Sequence, residues 1–121
     1  PAPKVTVVPG ITAVQALTAA HKIPLNRLAG DITIMTGRNL RETGIDDSID
    51  NVVVMLDGET SFTTLPADAF DIYWGAYLGM TEQILLSGRL ADIADEIINL
   101  RAEARSRHGW IMDSYLLRRR P

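Results

Sequence analysis

Behind Asn51, the residues Val52-Val53-Val54-Met55-Leu56 form an apolar run with no polar alternation. A strand with one face in water alternates apolar and polar residues, whereas an unbroken run is covered on both faces. Covering both faces takes helices on either side of a sheet, so this one run points to an α/β domain. At 121 residues the chain has the length of one such domain.

The neighbouring segments fill in that frame. Val5 to Val8 is β-branched and ends at Pro9-Gly10, which predicts a strand and a sharp turn. Ile11 to Lys22 carries Ala13, Val14, Ala16, Leu17 and Ala20 at helical spacing, and Ile23-Pro24 ends it. Ile32 to Thr36 reads as a strand closed by Gly37, and Arg38 to Asp50 as a polar connection with one helical turn. Glu59 to Asp71 reads as loop, Phe70 to Tyr77 as a strand interrupted by Gly75, and Glu82 to Ser87 as another strand. In Leu90 to Arg107 an apolar face (Leu90, Ile93, Ala94, Ile97, Leu100, Ala104) is ringed by charge, with Gly109 as its C-cap. Trp110 to Leu117 completes the pattern as a strand, followed by a solvated Arg118–Arg120 tail. The expectation is a single α/β domain, a mixed sheet of about five or six strands packed by two main helices.

Composition removes several classes of chemistry. With no cysteine the chain has no disulfide, thiolate metal site or cysteine nucleophile. Two distant histidines, His21 and His108, each read as a cation at a helix end and argue against a histidine zinc site, so no metal is expected. A net charge of −3 offers no general attraction for nucleic acid or an anionic membrane, and no apolar run is long enough to span one. The chain begins at Pro1 and enters a strand pattern at once, which is the look of a piece of a larger protein. Neither phosphate-binding glycine loop, GxGxxG or GxxxxGK[ST], is present.

Three places hold candidate chemistry. Val8-Pro9-Gly10-Ile11-Thr12-Ala13 turns a strand into a helix start, where free backbone N–H groups welcome anions. Tyr73-Trp74-Gly75-Ala76-Tyr77-Leu78-Gly79 combines flat aromatic faces with glycines that allow close approach. Asp57 and Glu59 follow the central strand, at the end where open α/β sheets place ligands.

In order along the chain, these pieces resemble the second domain of the tetrapyrrole (corrin/porphyrin) methylases. The matching signals are Pro9-Gly10-Ile11-Thr12, then Ala20 and Ile23-Pro24-Leu25, Ile34-Met35-Thr36-Gly37, Asn51–Leu56, Tyr77-Leu78-Gly79 and Gly88-Arg89-Leu90. Within the family the likeness is closest to a cobalamin (vitamin B12) biosynthetic member, on residues 51–58, 72–79 and 105–113. The resemblance implies S-adenosylmethionine as methyl donor and a precorrin as acceptor. It implies methylation of precorrin-5 at C1 with loss of acetate, in a homodimer; the absence of cysteine, signal peptide and membrane span in these residues adds the expectation of a cytoplasmic location.

Carried over by position, the resemblance implies donor contacts at Thr12, Ala13, Leu56 and Gly79. Loss of acetate calls for a water-activating carboxylate, and Asp57 and Glu59 are the candidates only through their place at a strand end near that donor site. Leu56 stands where relatives often have Met, and Asp57 where they often have Gly. The family's first domain, with its GxGxGD loop, is not in these residues, so the chain alone is expected to be inactive. The alternatives are another methylase of the family, acting on a different precorrin or a protein, and a non-catalytic binding or dimerisation module.

Overall fold

The structure, a computed structural model, describes residues 16–22, 32–55 and 57–120. Five strands form one sheet in the order β1-β2-β5-β3-β4. They are β1 (Ile32–Thr36), β2 (Asn51–Met55), β3 (Phe70–Ala76), β4 (Ile84–Arg89) and β5 (Asp113–Arg119). β1 runs parallel to β2, while β2–β5, β5–β3 and β3–β4 are antiparallel. These pairings point β1, β2 and β3 the same way, so their carboxyl ends share one edge with the start of β5. Helical residues 16–20 belong to α1, followed by α2 (Gly37–Thr43) and α3 (Leu90–His108).

The centre of the apolar run, Val52 to Val54, is buried on both faces, as the pattern requires. Val52, Val53 and Val54 have no exposed surface. Val52 and Val54 join Ile72, Trp74, Tyr115 and Leu117 beneath Leu90, Ile97 and Ala104 of α3. Val53 and Leu116 point the opposite way and meet Leu17 of α1. The pleat thus distributes one strand between two cores. The predicted α3 stripe is the buried one, and Gly109 caps the helix with φ 78°.

Several elements differ from expectation. The segment after β1 is not a bare connection with one turn: α2 occupies it from Gly37 to Thr43, where Thr36 Oγ1 accepts the Asn39 N–H and Gly44 takes φ 67°. The predicted loop Glu59–Asp71 holds two short 3-10 turns, Ser61–Thr64 and Ala67–Ala69, and gives its last two residues to β3. Gly75 does not interrupt β3. A Cβ there would lie 2.7 Å from Leu78 Cδ2 and 3.2 Å from Leu17 Cδ1, so the space of its missing side chain is taken by the chain's own Leu78 and Leu17.

The arginine tail is not solvated. Arg118 and Arg119 belong to β5, Arg119 stacks on Phe70 at 4.8 Å and donates to the Ile49 and Asp46 carbonyls, and Arg120 pairs with Asp71 at 2.7 Å. These partners lie about 50 to 70 positions away in sequence, beyond the reach of any local pattern. His21 is also more than a surface cation. Its Nε2 donates to the Trp74 carbonyl at 2.9 Å, its ring meets Tyr73 edge-on, and burial pushes its pKa down against the pull of that hydrogen bond. The strand expected at Val5–Val8 and the turn Pro9-Gly10 lie outside the described residues.

Candidate functional site

The carboxyl edge of β1, β2 and β3 gathers a buried polar cluster around Asp57, just after β2. Asp57 Oδ2 accepts the Tyr115 hydroxyl at 2.6 Å and the Ser61 N–H at 2.6 Å. Its Oδ1 accepts the Ser61 hydroxyl at 2.7 Å and the Glu59 N–H at 3.2 Å. Burial alone pushes this carboxyl up, but the bonds from Tyr115, Ser61 and Glu59 outweigh it and hold it below the ordinary value. Tyr115 is pushed the other way, by burial and by the anion it faces.

A cation flanks each side. Arg41 of α2 donates to Ser61 Oγ at 2.8 Å and stands 3.7 Å from Asp57 Oδ1. Arg101 of α3 donates Nη2 to the Asp57 carbonyl and Nε to Asp113 Oδ2, both at 3.1 Å. Asp113 also accepts Trp74 Nε1–H at 2.8 Å. Burial raises the Asp113 carboxyl, with Trp74 and Arg101 opposing. Two carboxylates at one edge are therefore shifted in opposite directions, Asp57 downward by its donors and Asp113 upward by burial. Gly37 makes room for this arrangement, because a Cβ there would run into the Asp57 side chain.

The predicted site residues fare differently. Thr12, Ala13 and Leu56 lie outside the described residues. Gly79 sits in the turn after β3 with φ 81°, its Cβ direction is open, and its N–H donates to Gln83 Oε1 at 2.8 Å. Asp57 and Glu59 are neighbours with opposite surroundings: Asp57 is 5% exposed and its oxygens are committed, while the Glu59 side chain is 71% exposed and 3.8 Å from Arg41. Of the aromatic segment, Trp74 and Tyr77 are wholly buried. The Tyr77 hydroxyl donates to the Trp110 carbonyl, and its ring meets His108 and Trp110 edge-on, so His108 too is packed rather than free.

Arg41, Ser61, Arg101, Asp113 and Tyr115 were not legible as a site, since they come from four elements far apart in sequence, with only Asp113 and Tyr115 sharing a strand, β5. The one local hint was Arg101, a cation bordering the apolar stripe of α3. Among the described residues no His, Cys, Asp or Glu cluster could hold a metal, and no helix is long and apolar enough to cross a membrane.

In a mixed α/β sheet the edge that carries the turns after β1, β2 and β3 is where such folds place their ligands. The chain belongs to the Tetrapyrrole (Corrin/Porphyrin) Methylases, whose family model matches residues 1–94. It is 50% identical over 113 residues to a precorrin-6A synthase [deacetylating] from Sinorhizobium sp., covering 93% of this chain and 43% of that protein. A crystal structure of a cobalamin synthesis related protein (CobF) from Corynebacterium diphtheriae superposes with TM-score 0.79 at 46% identity, covering 88% of this chain and 44% of that one. Uroporphyrin III C-methyl transferase from Thermus thermophilus shares the fold, with TM-score 0.51 at 14% identity, over 84% of this chain and 46% of its own. The chain thus spans just under half the length of these relatives.

Proposed function

We propose that this chain supplies the second domain of an S-adenosylmethionine-dependent C-methyltransferase of cobalamin biosynthesis, one that methylates precorrin-5 at C1 and releases acetate to give precorrin-6A. The observation that carries the reading is the 50% identity to precorrin-6A synthase over nearly the whole chain. In this reading the enzyme is a cytoplasmic homodimer, and the chain is inactive without the first domain.

S-adenosylmethionine supplies an activated sulfonium methyl, so the protein's main contribution is to hold donor and acceptor in line, worth about 7–11 kcal/mol in favourable cases. Thr12, Ala13, Leu56 and Gly79 form the donor side of the site in this proposal. The open Cβ direction at Gly79 and its left-handed backbone suit close approach by a bulky ligand. Acetate release calls for a water-activating carboxylate. Between the two candidates the geometry favours Glu59, which is open to solvent, over Asp57, which is enclosed by its own donors. Asp57 then acts by fixing the turn that carries Glu59.

The test is calorimetric titration of S-adenosylhomocysteine into the full-length protein, with a Gly79→Leu variant whose melting is followed in parallel. Binding by the wild type, lost in a folded variant, supports the donor site at Gly79. Binding that survives the variant keeps the methylase and discards Gly79. A folded protein that binds nothing favours the non-catalytic module.

A further inference from the structure

Beside the Asp57 cluster, the turn after β2 and the second half of α3 border an open cleft of about 370 Å³ lined by Thr60, Ile98, Arg101, Ala102, Arg105 and Ser106. Its charge is unbalanced. The acids around it are already committed: Asp57 to Tyr115 and Ser61, Asp113 to Trp74 and Arg101, Glu103 to Arg107, and Glu59 toward Arg41. Arg105 makes no ion pair or side-chain hydrogen bond to a described residue, and Arg101 uses Nε and Nη2 but leaves Nη1 without a described partner. The Ser106 hydroxyl is likewise uncommitted among the described residues.

Two further features mark the cleft as built. Thr60 holds φ 48° and ψ 54°, a left-handed conformation that a β-branched residue rarely adopts, and it is kept there by the Thr63 N–H on its carbonyl. Arg101 is nearly buried and pinned at both Nε and Nη2, so its guanidinium is presented without further ordering. Ile98 and Ala102 add apolar surface between the cations. Ile98 to Ser106 also lie beyond residues 1–94, the part that the family model matches.

We infer that this cleft is a carboxylate subsite, taking a carboxylate on a short hydrocarbon arm between Arg105, Arg101 Nη1 and Ser106, with the arm's methylenes on Ile98 and Ala102. A planar guanidinium suits a carboxylate, and a charge-assisted pair is the strong form of hydrogen bond. The carboxylate belongs either to a side arm of a tetrapyrrole acceptor or to a free small dicarboxylate. Only the first source rests on the function proposed above.

The test uses the full-length protein with three probes: glutarate, the octacarboxylate uroporphyrin, and uroporphyrin octamethyl ester. Each is titrated into the wild type, Arg105→Ala, Arg105→Lys and, as a control for general charge, Arg107→Ala. Arg105 is exposed and unpaired, so its replacement leaves the fold intact. Glutarate binding that weakens about tenfold in Arg105→Ala, but not in Arg107→Ala, identifies a site for free carboxylates. The same loss for uroporphyrin only, with the ester indifferent to the substitution, identifies a site for the acceptor's arm. In both cases Arg105→Lys retains part of the affinity. If no probe loses affinity in Arg105→Ala, or Arg107→Ala matches it, the subsite is refuted. S-adenosylhomocysteine binding is indifferent to Arg105, so its absence would count against the proposed function and not against the cleft.

Discussion

Replacing Asp57 by Asn probes the link between the turn after β2 and the sheet. The carboxylate receives four hydrogen bonds, from Tyr115, Glu59 and twice from Ser61. An amide keeps one acceptor oxygen and presents an NH₂ group in place of the other. At the Oδ2 position that group would face the Ser61 N–H, donor against donor in a buried site. The cheaper orientation puts it at Oδ1, where the Ser61 hydroxyl can turn to accept. The Glu59 N–H then loses its acceptor, and Arg41, 3.7 Å away, loses its anion.

One lost bond to a charged group costs about 1.5–3 kcal/mol, and the bonds that survive fall to ordinary neutral strength, for about 3–5 kcal/mol in all. With a urea slope of about 2 kcal/mol/M, the unfolding midpoint should fall by about 1.5–2.5 M. A pH signature separates this cause from general damage. The folded pKa of Asp57 lies below its unfolded value, so its contribution is present above the unfolded value and lost as pH falls through the folded one. Asp113, raised in the fold, runs in the opposite direction, so the informative quantity is wild type minus variant. That difference should be full at neutral pH and shrink on acidification below about pH 4. A midpoint shift under about 0.3 M, or a difference that does not change with pH, would refute the account of Asp57 as an ionised anchor.

Three further outcomes can be checked by the same unfolding assay. Gly75→Ala should cost about 1–3 kcal/mol by driving a methyl against Leu78 and Leu17, while Gly58→Ala, with nothing within 4 Å, should be near neutral. Because burial lowers the His21 pKa, the neutral ring is the one the fold prefers. Wild-type stability should therefore drop between about pH 7.5 and about pH 5.5, and His21→Gln should flatten that window; equal slopes would assign the dependence elsewhere. Arg119→Ala should cost about 1–2 kcal/mol, since it removes two carbonyl bonds and the contact with Phe70. Arg38→Ala, which breaks an exposed pair with Glu42, should stay within about 0.5 kcal/mol.

What could be read from the chain alone was whatever is written in consecutive residues. The unalternating run at β2, the apolar stripe of α3 with its Gly109 cap, the strand at Phe70 and the α/β class all express backbone periodicity, which a few neighbouring residues define. The ordered motifs from Pro9 to Leu90 carried the family likeness for the same reason, and the match over residues 1–94 agrees with it.

Tertiary structure decided the fate of the polar residues. Asp57 looked like a turn acid free for chemistry, but Tyr115, 58 positions on, turned it inward. Gly75 looked like space for a ligand and proved to be space for Leu78 and Leu17; the arginine tail looked like a solvated end and became the last strand and its anchors. Period and propensity act within a turn or a strand. The partner of a buried charge is chosen by which distant segments the sheet brings side by side, because an ionised group can leave water only where donors already await it.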